Sequence, residues 1–168
     1  LPIWFFDSVE ELSKVCIRSD QSKNNTYYAI SAFKEKGNRK QDNVRATKVV
    51  ALDVDCGKSK PYPSWKEGLT ALGKFITDMK LPNPMVIFSG NGLHVYWVLT
   101  KELDPHKWKV LAGAMKLASV EKQFHIDAGL TTNTALVLRP VGTHNPKNGK
   151  QVKLLMDAEP VTPEVLSD

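Results

Sequence analysis

Cysteine is scarce in this sequence, whose 168 residues include only Cys16 and Cys56. These two lack the CxxC or Cys/His spacing of a structural zinc site and cannot form a disulfide framework. Long apolar runs are also missing, since the longest are about strand length and far short of the roughly 20 residues of a membrane helix. The interrupted, lysine-containing N-terminus is not typical of a signal peptide. We therefore expect a cytoplasmic protein with reduced thiols and no membrane partner.

The composition is that of a globular protein, with 42% hydrophobic and 24% charged residues. A chain of this length buries roughly 70% of its unfolded surface in one core, which predicts a single domain over 1–168. The net charge of +5 favours an anionic partner. Basic residues outnumber acidic ones in 34–48, and 128–156 contains no acidic residue. The first of these segments is equally compatible with a solvated loop.

Capping signals predict three helices. Ser8 and Ser64 are each followed three residues later by Glu, which is the spacing of a capping box. They predict helices from about Val9 and over 64–80. Asp104 followed by Pro at the first helical position predicts the third.

Alternating β-formers predict strands between these helices. We expect 26–33 to pair with 47–54, and the runs flanking "SGNG" to form a tight hairpin because Asn-Gly accepts positive φ. "TALVLRP" is ambiguous between helix and strand, "KQVKLLM" is a late strand, and the last ten residues resemble the start of a helix that is cut short. This order predicts an α+β fold with an RRM-like antiparallel or mixed sheet and helices on one face. The chain starts without Met, so we expect it to be excised from a longer protein.

Two acidic residues end the apolar run "VVALDVD". Asp53 and Asp55 share one side of a strand, where two carboxylates repel each other and raise each other's pKa. Mg²⁺ or Mn²⁺ would relieve this repulsion, and such ions commonly catalyse phosphoryl chemistry. Asp127, in the strand-like context "FHIDAGL", would be the third carboxylate of a two-metal site. The alternative is that Asp53 or Asp55 caps a turn before Gly57.

The "SGNG" turn also suits an anion. Ser89 offers a hydroxyl, Gly90 and Asn91 offer successive backbone N–H groups, and His94 follows on the return strand. Alternation places His94 and Tyr96 on the same face of that strand.

A second anion-binding pattern occurs in "LRPVGTHNPK". Arg139 provides a planar fork of donors, Lys147 a point charge and Asn145 an amide, which together suit a polyphosphate. The histidines outside the turn, His106, His125 and His144, are assigned no role.

Taken in order, "ALDVDCG", "SGNGLHVYW", "HIDAGL" and "LRPVGTHNPK" resemble the archaeo-eukaryotic primase superfamily, in particular the primase-polymerase domains of phage and plasmid replication proteins. That superfamily has an apolar strand ending in Asp-x-Asp/Glu, then a Ser-and-His motif, then an apolar-Asp motif. The matching motifs span 51–147, which is most of the chain.

The resemblance implies a template-directed nucleotidyltransferase that adds (d)NTPs to a 3′-OH during DNA replication. Asp53, Asp55 and Asp127 would be the catalytic residues and would bind two Mg²⁺ or Mn²⁺ ions. The triphosphate would be held by the residues of the turn and tail named above: Ser89, Gly90, Asn91, His94, Arg139, Asn145 and Lys147.

The resemblance also implies an RRM-like catalytic unit packed against a small N-terminal α/β part. Its partners would be a DNA template and primer, nucleoside triphosphates, and a helicase or C-terminal accessory domain in the full-length protein. Its location would be the cytoplasm of a bacterial, archaeal or phage-infected cell. The zinc-binding element of many members is missing, so the resemblance does not extend to starting new primers.

Three other functions fit parts of the pattern. In a haloacid-dehalogenase-like phosphatase, Asp53 would be the nucleophile and Asp55 the general acid, but that fold needs parallel strands with crossover helices. A catalytically inactive RRM-like module would bind nucleic acid through its basic segments and aromatic residues such as Tyr27. A rolling-circle nuclease would need a second histidine beside His94.

Overall fold

The computed structural model describes residues 3–167, which form an α+β fold. Its helices are α1 (Val9–Gln21), α2 (Trp65–Met79), α3 (Pro105–Glu121) and α4 (Ala128–Thr131). Its strands are β1 (Tyr28–Ala29), β2 (Ser31–Phe33), β3 (Val44–Val54), β4 (Met85–Phe88), β5 (Leu93–Leu103), β6 (Val137–Leu138), β7 (His144–Asn145), β8 (Lys150–Gln151) and β9 (Lys153–Met156). Short 3₁₀ helices cover Gln41–Asn43 and Pro163–Leu166.

Five strands form the main sheet in the order β2-β3-β5-β4-β9. Each neighbouring pair is antiparallel, and the 11-residue strands β3 and β5 lie side by side in the middle. Both predicted hairpins, β2–β3 and β4–β5, are confirmed. The two-residue strands β1 and β6 pair with each other, as do β7 and β8.

Alternation along β3 and β5 creates two different faces. Toward α2 and α3, both strands contribute apolar side chains to the main core, including fully buried Leu52 and Trp97. Trp108 of α3 is also fully buried, and its indole Nε1 donates to the Val49 carbonyl at 2.7 Å. Because the indole N–H is satisfied, the large apolar ring stabilises the core without leaving an unpaired donor.

The opposite face of the sheet carries a smaller apolar cluster. Ala51 and Tyr96 pack there with Leu136, Leu138 and Val152 from the C-terminal third of the chain. The cover on this face consists of short strands and loops rather than long helices. Near the end of this face Asp53 is partly exposed, whereas His94 is buried.

Local signals predicted the helix starts well. Ser8 accepts a hydrogen bond from Glu11 N at 3.1 Å, and Asp104 accepts from His106 N at 3.0 Å. Ser64 occupies the N-cap position of α2 without a side-chain hydrogen bond.

The strand predictions were less accurate at their ends. The run predicted as one strand over 26–33 divides at Ile30, because its first part pairs with β6 and its second with β3. "TALVLRP" contributes only the short β6, and "KQVKLLM" divides at Val152 into β8 and β9. Among the described residues, no helix is long and apolar enough to cross a membrane.

Candidate active site

The predicted site residues of β3 and β5 are direct neighbours. Asp53 and His94 face each other as Cα partners in the antiparallel pairing, close to where β3 ends. Side chains of such partners lie on the same face of the sheet with Cβ atoms roughly 5 Å apart. The sheet therefore brings a carboxylate and an imidazole together on the face opposite α2 and α3.

Asp127 joins them through a backbone contact. Its amide N donates to the Asp53 carbonyl oxygen at 2.8 Å. Burial, and then the charges of Asp55 and Asp127, raise the pKa of Asp53 to about 7, while Lys60 acts in the opposite direction. The three predicted carboxylates thus share one electrostatic environment, in which the most buried of them holds its proton up to neutral pH.

Two of these carboxylates already have partners. Asp55 Oδ2 lies 2.6 Å from Lys60 Nζ. Asp127 Oδ1 accepts from Gly129 N at 3.0 Å and Leu130 N at 3.2 Å, so Asp127 is the N-cap of α4. The strand-like context predicted for Asp127 was wrong, because the chain turns into this short helix immediately after the aspartate.

Because of these partners, the carboxylate oxygens of Asp55 and Asp127 are directed at Lys60 and at the start of α4. Within residues 3–167, no three acidic, histidine or cysteine side chains are placed to hold a metal ion together. The donor chemistry still fits a hard divalent cation, since all three groups are carboxylates. Enclosing such a cation would require Lys60 to release Asp55, and an ion pair between exposed side chains is readily exchanged. Asp127 would have to contribute its second oxygen.

The turn between β4 and β5 lies directly on the end of β3. Ser89 Oγ accepts from Gly92 N at 3.2 Å, and Ser89 N donates to the Gly92 carbonyl at 3.0 Å. A Cβ on Gly92 would lie 2.1 Å from the Val54 carbonyl oxygen, so only glycine permits this approach. Asn91 Nδ2 donates to the Cys56 carbonyl. The Asn91 side chain therefore ties the turn to the segment after β3, while the role predicted for Asn91 concerned its backbone N–H.

The C-terminal tail holds the same turn from the other side. Asn145 is buried, and its Nδ2 donates to the Ser89 carbonyl at 3.3 Å. Asn148 Nδ2 donates to the Gly90 carbonyl at 2.8 Å. A Cβ on Gly90 would lie 2.6 Å from the Asn145 Cβ, so the tail packs on bare backbone. Lys147, two residues after Asn145, is exposed beside the turn.

His94 is buried and contacts a pair of tyrosines. Its Nδ1 lies 3.4 Å from the Tyr96 hydroxyl, which in turn accepts from the Tyr28 hydroxyl at 3.4 Å. Burial, and then the positive charge of Arg139, lower the pKa of His94 to about 4. The imidazole is therefore neutral at pH 7. Because the Tyr96 hydroxyl accepts from Tyr28, its own proton is available to Nδ1, and this arrangement would put the ring proton on Nε2.

Arg139 is also buried, with 6% of its surface exposed. Its Nη2 donates to the Tyr27 hydroxyl at 2.8 Å, and its guanidinium carbon lies 4.5 Å from the centre of the Tyr27 ring. Arg139 Nη1 is buried with no hydrogen-bond partner among the described residues. A buried guanidinium with a free donor is unfavourable unless an anion completes it.

Local sequence patterns did not indicate the tyrosine contacts of this site. Tyr27 reaches Arg139 across 112 positions, and Tyr28 reaches Tyr96 across 68. Both contacts depend on the pairing of β1 with β6, two strands too short to show a strand pattern of their own. The signal that was available was the adjacent pair of tyrosines near the start of the strand predicted over 26–33.

The remaining histidines lie outside this group. His144 donates its backbone N–H to Asp20 Oδ1 at 2.6 Å, and its Nδ1 lies 2.9 Å from Asp20 Oδ2. This pair joins the end of α1 to the tail. His125 donates its backbone N–H to the Tyr62 hydroxyl at 2.9 Å.

No protein-family model and no curated protein matches this sequence. Among solved structures, the AEP domain of the primase-polymerase (PrimPol) of cyanophage S-2L is similar, with a TM-score of 0.73 and 15% sequence identity. The similarity covers 99% of this chain and 80% of that domain. At this identity the likeness establishes the fold alone, an α+β fold similar to that of the neighbour's AEP domain.

Proposed function

We propose that this chain is the catalytic domain of a primase-polymerase, a metal-dependent nucleotidyltransferase that adds (d)NTPs to a nucleic-acid 3′-OH. The observation that carries the proposal is the convergence, on one face of a primase-like sheet, of a carboxylate cluster and two buried groups suited to phosphate. Asp53 belongs to the carboxylate cluster, and the two buried groups suited to phosphate are His94 and Arg139.

The carboxylate cluster is the proposed metal site. Asp53 and Asp55, together with the second oxygen of Asp127, would hold two Mg²⁺ or Mn²⁺ ions once Lys60 releases Asp55. When bound, such ions stabilise developing charge on a reacting phosphate and lower the pKa of a coordinated hydroxyl. The raised pKa of Asp53 supports this assignment, because a nearby cation would offset both the burial and the repulsion by Asp55 and Asp127 that raise it.

The triphosphate would lie between the turn and the tail. The unpaired Nη1 of Arg139, the Nε2–H of neutral His94 and the ammonium group of Lys147 are donors suited to its oxygens. The Ser89 hydroxyl accepts from the turn backbone and keeps its own proton to donate outward. Gly90, Asn91 and Asn145 would act indirectly, by fixing the shape of the turn.

A DNA template and primer are the proposed macromolecular partners. The net charge of +5 and the lack of acidic residues over 128–156 favour a polyanion. Residues 34–48 contribute less free charge than their composition indicates. Within this segment Lys36 pairs with Asp7 at 2.8 Å and Arg45 with Glu102 at 3.1 Å.

Primer extension tests the proposed activity. The wild type is incubated with a primed template, dNTPs and Mn²⁺ beside Asp53→Asn and the control Asp42→Asn, which replaces an exposed carboxyl group in the 3₁₀ helix Gln41–Asn43. We expect Asp53→Asn to reduce extension by on the order of 10²-fold or more, as loss of electrostatic stabilisation of a transition state does, and the control to extend normally.

The same assay separates the other functions. Binding of DNA without extension by the wild type would favour an inactive RRM-like module. Release of phosphate from small phosphoesters without extension would favour a phosphatase. The antiparallel pairing of β3 with β5 argues against the phosphatase, because the dehalogenase-like fold requires parallel strands.

A further inference from the structure

Tyr27 lies opposite Arg139 across the small β1–β6 pair. These strands pair antiparallel with Tyr28 opposite Leu138. The next pair outward in this register is therefore Tyr27 and Arg139. Strand pairing, rather than a chance surface contact, brings the phenol of the N-terminal part to the guanidinium of the C-terminal part.

The two side chains make a two-point contact. The hydrogen bond from Arg139 Nη2 to the Tyr27 hydroxyl is 2.8 Å long, and the guanidinium also lies over the ring, 4.5 Å from its centre. A hydrogen bond alone would allow the guanidinium to rotate about the donor, whereas the additional ring contact fixes its plane. Tyr27 thereby determines where the other donors of Arg139 point.

The other terminal nitrogen of Arg139, Nη1, has no hydrogen-bond partner among the described residues. Nη1 is buried and makes no hydrogen bond among the described residues, and no carboxylate of residues 3–167 forms an ion pair with this guanidinium. Arg139 is close enough to His94 for its charge to act on the imidazole. A fixed, uncompensated cation next to a neutral N–H donor is suited to a phosphate group.

We propose that Tyr27 is a positioning residue that holds Arg139 with Nη1 directed at a phosphate. This inference rests on the proposed function for identifying the phosphate as that of an incoming nucleotide. The anion site itself follows from the buried guanidinium and its free donor. Tyr27 is 39% exposed, so its hydroxyl can be removed without opening a hole in the core.

A double-mutant cycle tests this role. The affinity for inorganic triphosphate, without divalent metal, is measured by calorimetry for the wild type, Tyr27→Phe, Arg139→Gln and the double variant. We expect Tyr27→Phe to weaken binding roughly tenfold, the effect of losing a hydrogen bond to a charged group. Arg139→Gln should weaken it more. Adding Tyr27→Phe to Arg139→Gln should then cause no further loss.

Tyr62→Phe is the matched control, because the Tyr62 hydroxyl also accepts a hydrogen bond, from His125 N, but does not contact Arg139. It should leave the affinity within about twofold. Thermal unfolding of each variant confirms that the measured protein is folded. The proposal is overturned if the wild type does not bind triphosphate or if Tyr27→Phe binds it normally. An equal loss in the wild-type and Arg139→Gln backgrounds would also overturn it, since Tyr27 would then act independently of Arg139.

Primer extension with the same variants distinguishes this inference from the proposed function. If the function is correct, Tyr27→Phe raises the KM for dNTP and leaves kcat nearly unchanged. Tyrosine-dependent triphosphate binding by a wild type that never extends primers would support the anion site and contradict the polymerase. Extension by a wild type whose triphosphate affinity does not depend on Tyr27 would support the polymerase and overturn the role of Tyr27.

Discussion

At the scale of single residues, Asp53 lowers the free energy of unfolding at neutral pH. Its pKa is about 7 in the folded chain, against an ordinary value of 3.8, chiefly through burial and then through Asp55 and Asp127. Between these two pH values the folded state binds a proton that the unfolded state has released. Stability therefore falls as pH rises from about 4 to about 7, and the loss is complete above that range.

Replacing Asp53 with Asn should reverse this loss. We expect Asp53→Asn to change the thermal midpoint little near pH 4 and to raise it by about 3 °C or more at pH 8, the shift for roughly 1 kcal/mol in a chain of this size. Asp42→Asn, which removes an exposed carboxylate, should show no such pH dependence. Thermal melts at several pH values check this, and an Asp53→Asn effect of equal size at every pH would contradict it.

A second prediction at this scale concerns the proton on His94. Tyr96→Phe removes the hydroxyl 3.4 Å from His94 Nδ1. Without that donor, the neutral ring should populate both tautomers, and triphosphate affinity should fall roughly twofold, because only about half of the rings then present the Nε2–H donor. The ¹⁵N chemical shifts of the His94 ring measure the tautomer directly. An unchanged Nε2–H form in Tyr96→Phe would show that another contact sets it.

At the scale of elements, the turn 89–92 between β4 and β5 contacts both the end of β3 and the C-terminal tail. The Gly92 position allows the turn to contact the Val54 carbonyl, and a Cβ there would lie 2.1 Å from that oxygen. We expect Gly92→Ala to destabilise the fold by about 3 kcal/mol, since the backbone contact cannot relax easily. Urea denaturation measures the change.

Gly73 in α2 provides a control for Gly92→Ala, because an added Cβ there should stabilise the protein rather than destabilise it. It is exposed, and a Cβ there would meet nothing within 4 Å. Gly73→Ala should therefore stabilise the protein by roughly 0.5–1 kcal/mol through helix propensity. If both substitutions changed stability in the same direction, the close approach at Gly92 would not be the cause.

The accuracy of the sequence predictions follows the range of the interactions. The hairpin and the face of β3 on which Asp53 lies were predictable, because Asn-Gly turns and strand alternation are local signals. Asp55 was predicted in the same strand, but β3 ends one residue earlier, at Val54. The contacts of Tyr27 and Lys60 were not predicted, because they are set by which segments meet in the folded chain. Asn145 was identified as a site residue, but its role in holding the turn depends on a packing contact that sequence does not show.

At the scale of the whole molecule, one polar contact fastens α1 to the tail that carries Asn145 and Lys147. Burial alone would raise the pKa of Asp20, but hydrogen bonds from the His144 side chain and backbone, and its charge, outweigh this and lower that pKa. A lowered carboxyl pKa stabilises the folded state above the unfolded value of about 3.9. This contribution is lost as pH falls through the folded value.

Removing this contact should loosen α1 selectively. Because His144 is half exposed and solvent screens the pair, we expect Asp20→Asn to cost about 1 kcal/mol at pH 7. Hydrogen exchange should become about fivefold faster in α1 and stay unchanged in α3. The difference from the wild type should begin to shrink below about pH 4 and disappear once the pH is below the lowered pKa of the folded Asp20 carboxyl. Equal acceleration in α1 and α3 would indicate global destabilisation instead.

The anchoring of the turn by the tail also has a consequence for the order of events during folding. The hydrogen bonds from Asn145 to Ser89 and from Asn148 to Gly90 join positions 56 and 58 residues apart. Closing such large loops loses chain entropy before any contact compensates for it, so distant pairings form slowly. In stopped-flow refolding, helical circular dichroism should therefore recover before triphosphate binding does. A nascent chain would be compact and helical for a time during which it has no working site.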